Sequence, residues 1–190
     1  MKEIDFYVEF SEKFIKYLRG YINQDFEIAY SVNKSLDSMI SEVSDKLSAR
    51  IEFENEYIPK LKLDILFAVK KNDKVHLILF EAKYLKQLSL KDYSQLSGYL
   101  QVAKNISTGI LLLIVKGSSP NKLSNDFNEI VKLKKLPMDW TQVVSNNKYL
   151  FQTGIMTFQP GNGIDWIDSK MVNGISDYEE LAIIIEKSLT

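Results

Sequence analysis

The sequence predicts an α/β fold in which a mixed central sheet is flanked by helices. Three short segments, residues 63–69, 75–80 and 109–115, are almost wholly apolar, which is typical of strands buried on both faces. Segments with apolar residues at helical spacing lie before, between and after them. Because a helix separates the second strand from the third, the chain can cross over to a parallel strand.

Two helices and a strand are predicted before these segments. The first helix, over residues 5–22, has apolar side chains at helical spacing: Phe6, Phe10, Phe14, Leu18 and Tyr21. The second, over residues 36–47, can be capped by Asn33 or Ser35 and repeats the pattern: Leu36, Met39, Ile40, Val43 and Leu47. From Ile51 the apolar spacing changes to two, which predicts a strand that ends before Pro59.

The later elements follow the hairpin formed by the first two apolar segments. A helix over residues 90–105 begins at Ser89 and leads to the third apolar strand. Beyond it, the spacing predicts a helix, a strand and a closing helix, over residues 127–133, 149–158 and 178–189. We expect one domain over residues 1–190, with its core at about residues 33–115 and a C-terminal elaboration at about residues 120–190.

The composition excludes several kinds of chemistry. The chain has 190 residues, 45% of them apolar, no cysteine and a single histidine, His76. A disulfide scaffold, a thiolate zinc site and a cysteine nucleophile are therefore excluded, and a Ser-His triad is disfavoured. There is no long uncharged apolar run and no signal-peptide pattern at residues 1–5, so we expect a globular cytoplasmic protein without a membrane span.

The charges are segregated along a chain whose net charge is only −1. Residues 1–59 have a net charge of −5 and residues 151–190 a net charge of −4. The middle is basic, with net charges of +5 over residues 60–91 and +3 over residues 116–135. A basic stripe could bind nucleic acid if the two basic segments meet, whereas a solvated lysine-rich surface is the simpler interpretation.

Two acidic residues interrupt the apolar strands of the hairpin. A desolvated carboxylate costs several kcal/mol unless it is paired or bound to a metal. The presence of Asp64 and Glu81 in these apolar strands therefore requires an explanation. If Asn72 and Asp73 form a two-residue turn, paired positions sum to 145 and the two carboxylates lie directly opposite each other. Lys83, two residues beyond Glu81, falls on the same face.

Opposed carboxylates suit a hard divalent cation, which takes oxygen ligands. Lys83 beside them could orient or deprotonate a water, or offset charge that develops on a phosphate. A buried ion-pair cluster of Asp64, Glu81 and Lys83, or a position near hydrated strand ends, would explain the same residues without catalysis.

The motif residues resemble those of a known superfamily. Asp64, followed 17 residues later by Glu81-Ala82-Lys83 across a hairpin, is similar to the PD-(D/E)XK signature of restriction-endonuclease-like nucleases. Gln95-Leu96-Ser97-Gly98-Tyr99 resembles the Gln-h-x-x-Tyr motif of the RecB-like branch, where h is apolar. The element order extends the resemblance to about residue 115 and implies a restriction-endonuclease-like sheet.

The resemblance implies a metal site and a catalytic lysine. Mg²⁺ or Mn²⁺ would be held by Asp64, Glu81 and the Ala82 carbonyl, with Lys83 acting on the attacking water and the phosphate. Gln95 would be a further catalytic residue, on one helix face with Tyr99, although packing of that face on the sheet would explain the pair equally well.

The superfamily usually adds an acidic residue from a helix before the sheet. Glu42 is the first choice for a further metal ligand, because its helix leads into the strand predicted from Ile51. Asp37, Glu9 and Glu12 are alternatives. Histidine has this role in many RecB-like nucleases, but His76 lies on a predicted strand as a core or edge residue.

The resulting expectation is a metal-dependent nuclease that hydrolyses phosphodiester bonds, with DNA preferred to RNA as its partner and a homodimer as a possible assembly. A catalytically inactive nucleic-acid-binding module with the same fold is one alternative. A non-enzymatic interaction protein with structural buried charges is the other.

Overall fold

The computed structural model describes residues 2–51, 60–103, 105–117, 121–133, 138–144, 147–167 and 174–190. A short 3-10 helix, Glu3–Phe6, runs into the first α-helix. The α-helices are α1 (Tyr7–Leu18), α2 (Leu36–Leu47), α3 (Leu90–Val102), α4 (Asn125–Lys132) and α5 (Tyr178–Leu189). Among these residues no helix is both long enough and apolar enough to cross a membrane.

The described strands form one open, mixed sheet. They are β1 (Glu27–Ser35), β2 (Lys62–Lys71), β3 (Lys74–Leu85), β4 (Thr108–Val115), β5 (Asp139–Val144), β6 (Asn147–Gln159) and β7 (Gly163–Trp166). Their order across the sheet is β1-β2-β3-β4-β6-β5, and β7 pairs with β6 beyond that path. The predicted α/β class, with a mixed sheet flanked by helices, is confirmed.

The predicted hairpin of β2 and β3 is also confirmed. Asn72 has a positive φ of 53°, which the tight two-residue turn requires and which asparagine tolerates. The antiparallel register pairs Lys71 with Lys74 and continues to Ile65 opposite Phe80, so paired positions sum to 145 as expected. This register determines which side chains meet at the far end of the hairpin.

The helix after the hairpin crosses over to a parallel strand. β4 is parallel to β3, and β6 is parallel to β4, so these three strands end at one edge of the sheet. A Cβ on Gly109 would lie 2.7 Å from Leu100 and 3.0 Å from Leu96, which shows how closely α3 packs on β4. We call the end of the sheet where β2 begins and β3 and β4 end the site edge.

Both faces of the sheet are covered by apolar cores. One core joins α2, α3 and α4 to residues such as Leu66, Leu79 and Leu111. The other joins α1 and α5 to the alternate residues, including Phe67 and Phe80. This two-sided burial explains why the central strands are apolar at nearly every position.

The first strand of the sheet differs from the sequence prediction. The strand that pairs with β2 is β1, which precedes α2 and was not predicted. Residues 52–59, which include most of the strand predicted after α2, lie outside the described residues, and Ile51 itself is not in a strand. In β1 apolar residues alternate with polar ones, as in Ile28, Tyr30 and Val32, which is the pattern of a half-buried edge strand.

His76 is a buried core histidine, which is one of the two positions, core or edge, that the sequence predicted for it. Its Nε2 lies 2.9 Å from the Thr108 hydroxyl and its Nδ1 lies 2.8 Å from the Ser188 hydroxyl. The ring thus connects β3 to β4 and to the last turn of α5. Burial lowers the pKa of His76 to about 4.

We predict that His76 makes the fold sensitive to acid. Its pKa is 6.5 as a free side chain and about 4 in the fold, so its contribution is complete above pH 6.5 and is lost as the pH falls to about 4. His76→Gln does not titrate, so the wild-type free energy of unfolding should fall relative to that of the variant by up to about 3 kcal/mol over this window. Urea unfolding in a pH series measures the difference; a constant difference would contradict the prediction.

Candidate active site

Asp64 lies at a local irregularity of the sheet near the site edge. The pairing of β1 with β2 includes Val32 with Ile65 and Lys34 with Leu63 but omits Asn33 and Asp64. Asn33 has a positive φ of 51°. Leu63 packs in the core under α2 and Ile65 in the core under α1, although residues two apart in a regular strand face the same side. The strand therefore switches faces at Asp64.

This irregularity lets the Asp64 carboxylate reach the backbone of the neighbouring strand. Its Oδ2 accepts a hydrogen bond of 2.9 Å from the N–H of Ala82. A carboxylate that accepts a backbone N–H is held in one orientation. Asp64 is therefore fixed beside the Glu81-Ala82-Lys83 segment, although the paired positions of the hairpin end at Ile65 and Phe80, one position short of the predicted pairing of Asp64 with Glu81.

Glu81 is the most deeply buried carboxylate of the site. It is 2% exposed, although the residues around it on β3 and β4 are apolar. Burial raises its pKa, the nearby Asp64 carboxylate raises it further, and Lys83 opposes both, so the pKa of Glu81 is about 7. Near neutral pH the Asp64 and Glu81 pair thus retains a proton for a substantial fraction of the time.

Lys83 completes the predicted trio. Its ammonium donates a short hydrogen bond to Oε1 of Glu81, and 20% of its side chain stays exposed. Burial would lower the pKa of Lys83, but the carboxylates of Glu81, Asp64 and Glu3 outweigh that effect and raise it. The lysine is therefore an ammonium ion that faces solvent at the mouth of the site.

A fourth charged residue, Glu3, comes from the N-terminal 3-10 helix. Its Oε2 accepts a hydrogen bond of 2.7 Å from the N–H of Tyr84, and its Oε1 accepts one of 2.7 Å from the Tyr7 hydroxyl. Burial raises the pKa of Tyr7, and the Asp64 and Glu3 carboxylates raise it further. Tyr7 thus lies between Glu3 and Asp64 as a neutral donor. Sequence reasoning missed both residues.

Glu42, the first choice for an upstream ligand, is held elsewhere. It accepts hydrogen bonds from Ser31 at 2.6 Å and Lys34 at 2.7 Å, and it pairs with Lys46 at 2.7 Å. Burial opposes its ionisation, but these three donors lower the pKa of Glu42 to about 2. Its described contacts include neither Asp64 nor Glu81, so its role as a metal ligand stays a prediction.

The alternative upstream acids also have other contacts. Glu9 pairs with Lys13 at 3.1 Å and accepts a hydrogen bond from the N–H of Gly161. Asp37 lies in the first turn of α2, where the Ser35 hydroxyl lowers its pKa. Glu12 is exposed on α1. None of the three has a described contact with Asp64 or Glu81.

Gln95 and Tyr99 lie together on α3, one turn apart. The Gln95 amide donates a hydrogen bond of 2.8 Å to the Tyr99 hydroxyl, and Gln95 is exposed. Tyr99 packs partly against the core beneath α3. Their described contacts do not extend to the carboxylates, so the catalytic role of Gln95 stays a prediction.

The two basic segments meet at the site edge. The N–H of Lys116 donates to the carbonyl of Leu85, and the N–H of Leu88 donates to the carbonyl of Lys122, each at 2.9 Å. Exposed Lys86 and Lys116 therefore directly follow the ends of β3 and β4, and the Lys116 ammonium lies 5.3 Å from the centroid of the Tyr84 ring. Lys134 and Lys135 of the second segment lie outside the described residues.

The donor set can hold a hard divalent cation with part of its hydration shell. Across the described part of the chain, no three histidine, aspartate or glutamate side chains converge into a metal cage. Mg²⁺ in nucleic-acid enzymes commonly uses one or two carboxylates and takes its other ligands from water and substrate phosphate. Asp64 and Glu81 match that arrangement, because a cation would offset both the burial of the Glu81 carboxylate and its repulsion from Asp64, which together raise the pKa of Glu81.

Comparisons with known protein families, with curated proteins and with solved structures found no match to this chain. A functional assignment must therefore depend on the geometry of the site and on the motifs it contains.

We predict that Glu81→Gln changes the pH dependence of stability in the absence of metal. The contribution of Glu81 is complete below about pH 4.5 and is lost as the pH rises to about 7, because its pKa is raised in the fold. The glutamine does not titrate, so the variant should gain up to about 3 kcal/mol relative to the wild type across this window. Denaturant unfolding at several pH values measures the gain.

Glu42→Gln is the matched control, because the pKa of Glu42 is lowered to about 2. Its effect should have the opposite sign: the wild type is favoured above about pH 4.5, and this advantage is lost as the pH falls toward 2. If Glu81→Gln shows the same stability difference in acid and in alkali, the burial of Glu81 beside Asp64 that the structure shows does not exist in solution.

Proposed function

We propose that this protein is a divalent-metal-dependent nuclease that hydrolyses phosphodiester bonds, with DNA as its preferred substrate. The proposal rests above all on the convergence of Asp64, Glu81 and Lys83 at the site edge. The resemblance of their motif to the PD-(D/E)XK signature supports it. The antiparallel strands β1, β2 and β3, followed by α3 and the parallel β4, also support it, although α2 lies between β1 and β2 in the chain.

Placing two carboxylates together in an apolar sheet is unfavourable for stability alone. A buried like-charge pair raises the free energy of the fold unless a proton, a cation or a metal neutralises it. Lys83 neutralises one charge of the pair, but the pKa of Glu81 remains raised. Residual strain of this kind in a solvent-facing site is typical of functional residues.

Mg²⁺ or Mn²⁺ would be held by Asp64 and Glu81, with the Ala82 carbonyl as a further predicted ligand. When bound, such a cation lowers the pKa of the attacking water and stabilises charge on the departing oxygen. The Ala82 N–H fixes the Asp64 carboxylate, so this ligand needs little reorganisation on binding.

Lys83 is proposed to stabilise the negative charge of the phosphate. The raised pKa of Lys83 keeps its side chain protonated, which favours electrostatic stabilisation over proton abstraction. Its ammonium is partly exposed. If a cation binds the Glu81 carboxylate, the ammonium can leave Glu81 and pair with a phosphate oxygen instead.

Glu3 and Tyr7 are proposed to position the end of β3. The hydrogen bonds of Glu3 to the Tyr84 N–H and to the Tyr7 hydroxyl fix the backbone just after Lys83. Glu3 thus brings a carboxylate of the acidic N-terminal segment to the end of β3, just after Lys83 in the chain.

The lysines of the site edge are proposed to contact the phosphate backbone. Lys86 and Lys116 are exposed and have no ion-pair partner among the described residues. They directly follow β3, which contains Lys83, and its neighbour β4, so a nucleic-acid strand that contacts them could continue into the site. A homodimer, which would allow both strands of a duplex to be cut, stays a prediction.

A second candidate is a nucleic-acid-binding module that lacks turnover. It is favoured by one observation: Glu42, the expected third acid, is held by Ser31, Lys34 and Lys46 instead of joining the two buried carboxylates. Binding without cleavage would identify this case.

We predict that cleavage requires all three residues of the trio. Supercoiled, linear and single-stranded DNA and RNA are incubated with Mg²⁺, Mn²⁺ or EDTA, and products are separated by electrophoresis. Asp64→Asn, Glu81→Gln and Lys83→Met should each reduce metal-dependent cleavage at least about 100-fold, because each removes a cation ligand or a charge that stabilises the transition state.

Glu27→Gln is the control for this assay, because Glu27 pairs with Lys70 at the opposite end of the sheet. Its cleavage should equal that of the wild type. Metal-dependent cleavage that survives unchanged in both Asp64→Asn and Glu81→Gln would show that the active site is elsewhere.

We predict that the edge lysines determine the salt dependence of binding. In the Glu81→Gln background, which suppresses cleavage, the double substitution Lys86→Gln with Lys116→Gln should weaken DNA binding. It should also flatten the logarithmic salt slope by up to about 0.9 per lost phosphate contact. Fluorescence anisotropy at several salt concentrations measures both quantities.

Lys71→Gln with Lys74→Gln removes the same charge at the turn of the hairpin, far from the site edge. This pair should leave the slope nearly unchanged. Equal effects of the two double variants would mean that binding responds only to net charge.

A further inference from the structure

A pocket of about 350 Å³ lies between α4 and the hairpin of β6 and β7. We call it the edge pocket. Its polar lining comes from Asn121, Lys122, Asn128, Thr157 and Asp165. Ligand pockets in proteins commonly have volumes of about 300 Å³ or more, so it is large enough for a small group such as a nucleobase.

The sheet register places this pocket in line with the active site. Lys83 pairs with Leu113, Leu113 with Thr157, and Thr157 with Asp165, and partners in a ladder share one face of the sheet. At about 4.8 Å between strands, Thr157 lies about 10 Å from Lys83 and Asp165 about 14 Å. One DNA strand rises about 3.4 Å per nucleotide, so the pocket is about three or four nucleotides from the reacting phosphate.

Three polar side chains of the edge pocket are available to a ligand. Lys122, Asn128 and Asp165 form no side-chain hydrogen bond and no ion pair with any other residue that the structure describes. An ammonium and a carboxylate that line one pocket without pairing to each other are separated enough to contact different atoms of one ligand. Lys122 is also connected to the active-site hairpin through the hydrogen bond from Leu88.

We propose that the edge pocket binds one nucleobase of the strand that is cut, and that it prefers cytosine or guanine. The proposal rests on the nuclease function, because the distance from Lys83 is what places the pocket on the path of the substrate. It adds a specificity site to that function.

The chemistry of the lining determines the preferred base. The Asp165 carboxylate can only accept hydrogen bonds near neutral pH, so it favours a base with an exocyclic amino group. The Lys122 ammonium can only donate, so it favours a base with a carbonyl oxygen. Cytosine and guanine have both groups, whereas adenine lacks the carbonyl and thymine lacks the amino group. The Asn128 amide can donate and accept, so it tolerates either base.

A free phosphate is a poorer occupant of the same pocket. The charges of Lys122 and Asp165 cancel, and the carboxylate repels an anion. A base presents donors and acceptors without a net charge, which matches this lining better.

The test is the base preference of cleavage on a randomised oligonucleotide library. The wild type should favour cytosine or guanine about tenfold at one position, about three or four nucleotides from the cut. Asp165→Asn exchanges an acceptor for an amide and should reduce that preference to less than about threefold. Lys122→Gln is the second variant. It should also reduce the base preference, because it removes the ammonium that donates to the carbonyl oxygen of the base.

Asn125→Ala is the matched control, because Asn125 is an exposed amide one turn before Asn128 that does not line the pocket. Its base preference should equal that of the wild type. A preference that persists unchanged in both Asp165→Asn and Lys122→Gln would overturn the proposal, as would cleavage by the wild type without any base preference.

A binding experiment separates this proposal from the nuclease function. Anisotropy titrations in EDTA compare fluorescent homopolymers of deoxycytidine, deoxyadenosine and thymidine on the wild type and Asp165→Asn. Tighter binding of deoxycytidine that Asp165→Asn removes would support the pocket even if no substrate is cleaved. Equal binding of all three by the wild type would reject the pocket even if cleavage occurs.

Discussion

The candidate site depends on one constraint, the approach of the Asp64 and Glu81 carboxylates that the packed hairpin of β2 and β3 enforces. The two-residue turn at Asn72 and Asp73 sets a register that continues through apolar pairs to the site edge. The cores on both faces of the sheet hold this register, since a shift by one residue would turn buried side chains to the opposite face. The free energy of packing thus keeps together two groups that repel each other.

The surrounding residues moderate this repulsion without removing it. The Ala82 N–H orients Asp64, Lys83 pairs with Glu81, and Tyr7 places a neutral hydroxyl between Asp64 and Glu3. The pKa of Glu81 nevertheless remains raised to about 7. In a purely structural ion-pair cluster, the positive and negative charges would balance more completely. A site that releases a proton when it binds a divalent cation needs an excess of negative charge, which the cation then neutralises.

Much of the fold could be predicted from the sequence because its patterns are local. The bounds of α2 and α5 and the register of the hairpin follow from apolar spacing and turn residues. β1 and β5 were missed because polar and charged residues weaken their alternation at the two edges of the sheet, and β7 because it is only four residues long.

The candidate site likewise has one part that could be predicted from the sequence and one part that could not. Asp64, Glu81 and Lys83 share one hairpin, so their approach follows from the strand register, whereas the irregularity that turns the Asp64 carboxylate toward the Ala82 N–H could not be predicted from the sequence. The approach of Glu3 to Tyr84 joins residues far apart in the chain and depends on how α1 packs, which no local pattern encodes.

The central claim is that Asp64 and Glu81 form a metal site, and calorimetric titration with Mn²⁺ in buffers of different ionisation enthalpy tests it most directly. The wild type should bind Mn²⁺ and release close to one proton near pH 6 but fewer near pH 8, and Asp64→Asn should abolish binding. Binding that is equal in the wild type and Asp64→Asn, or no binding to the wild type at pH 8, would contradict the claim.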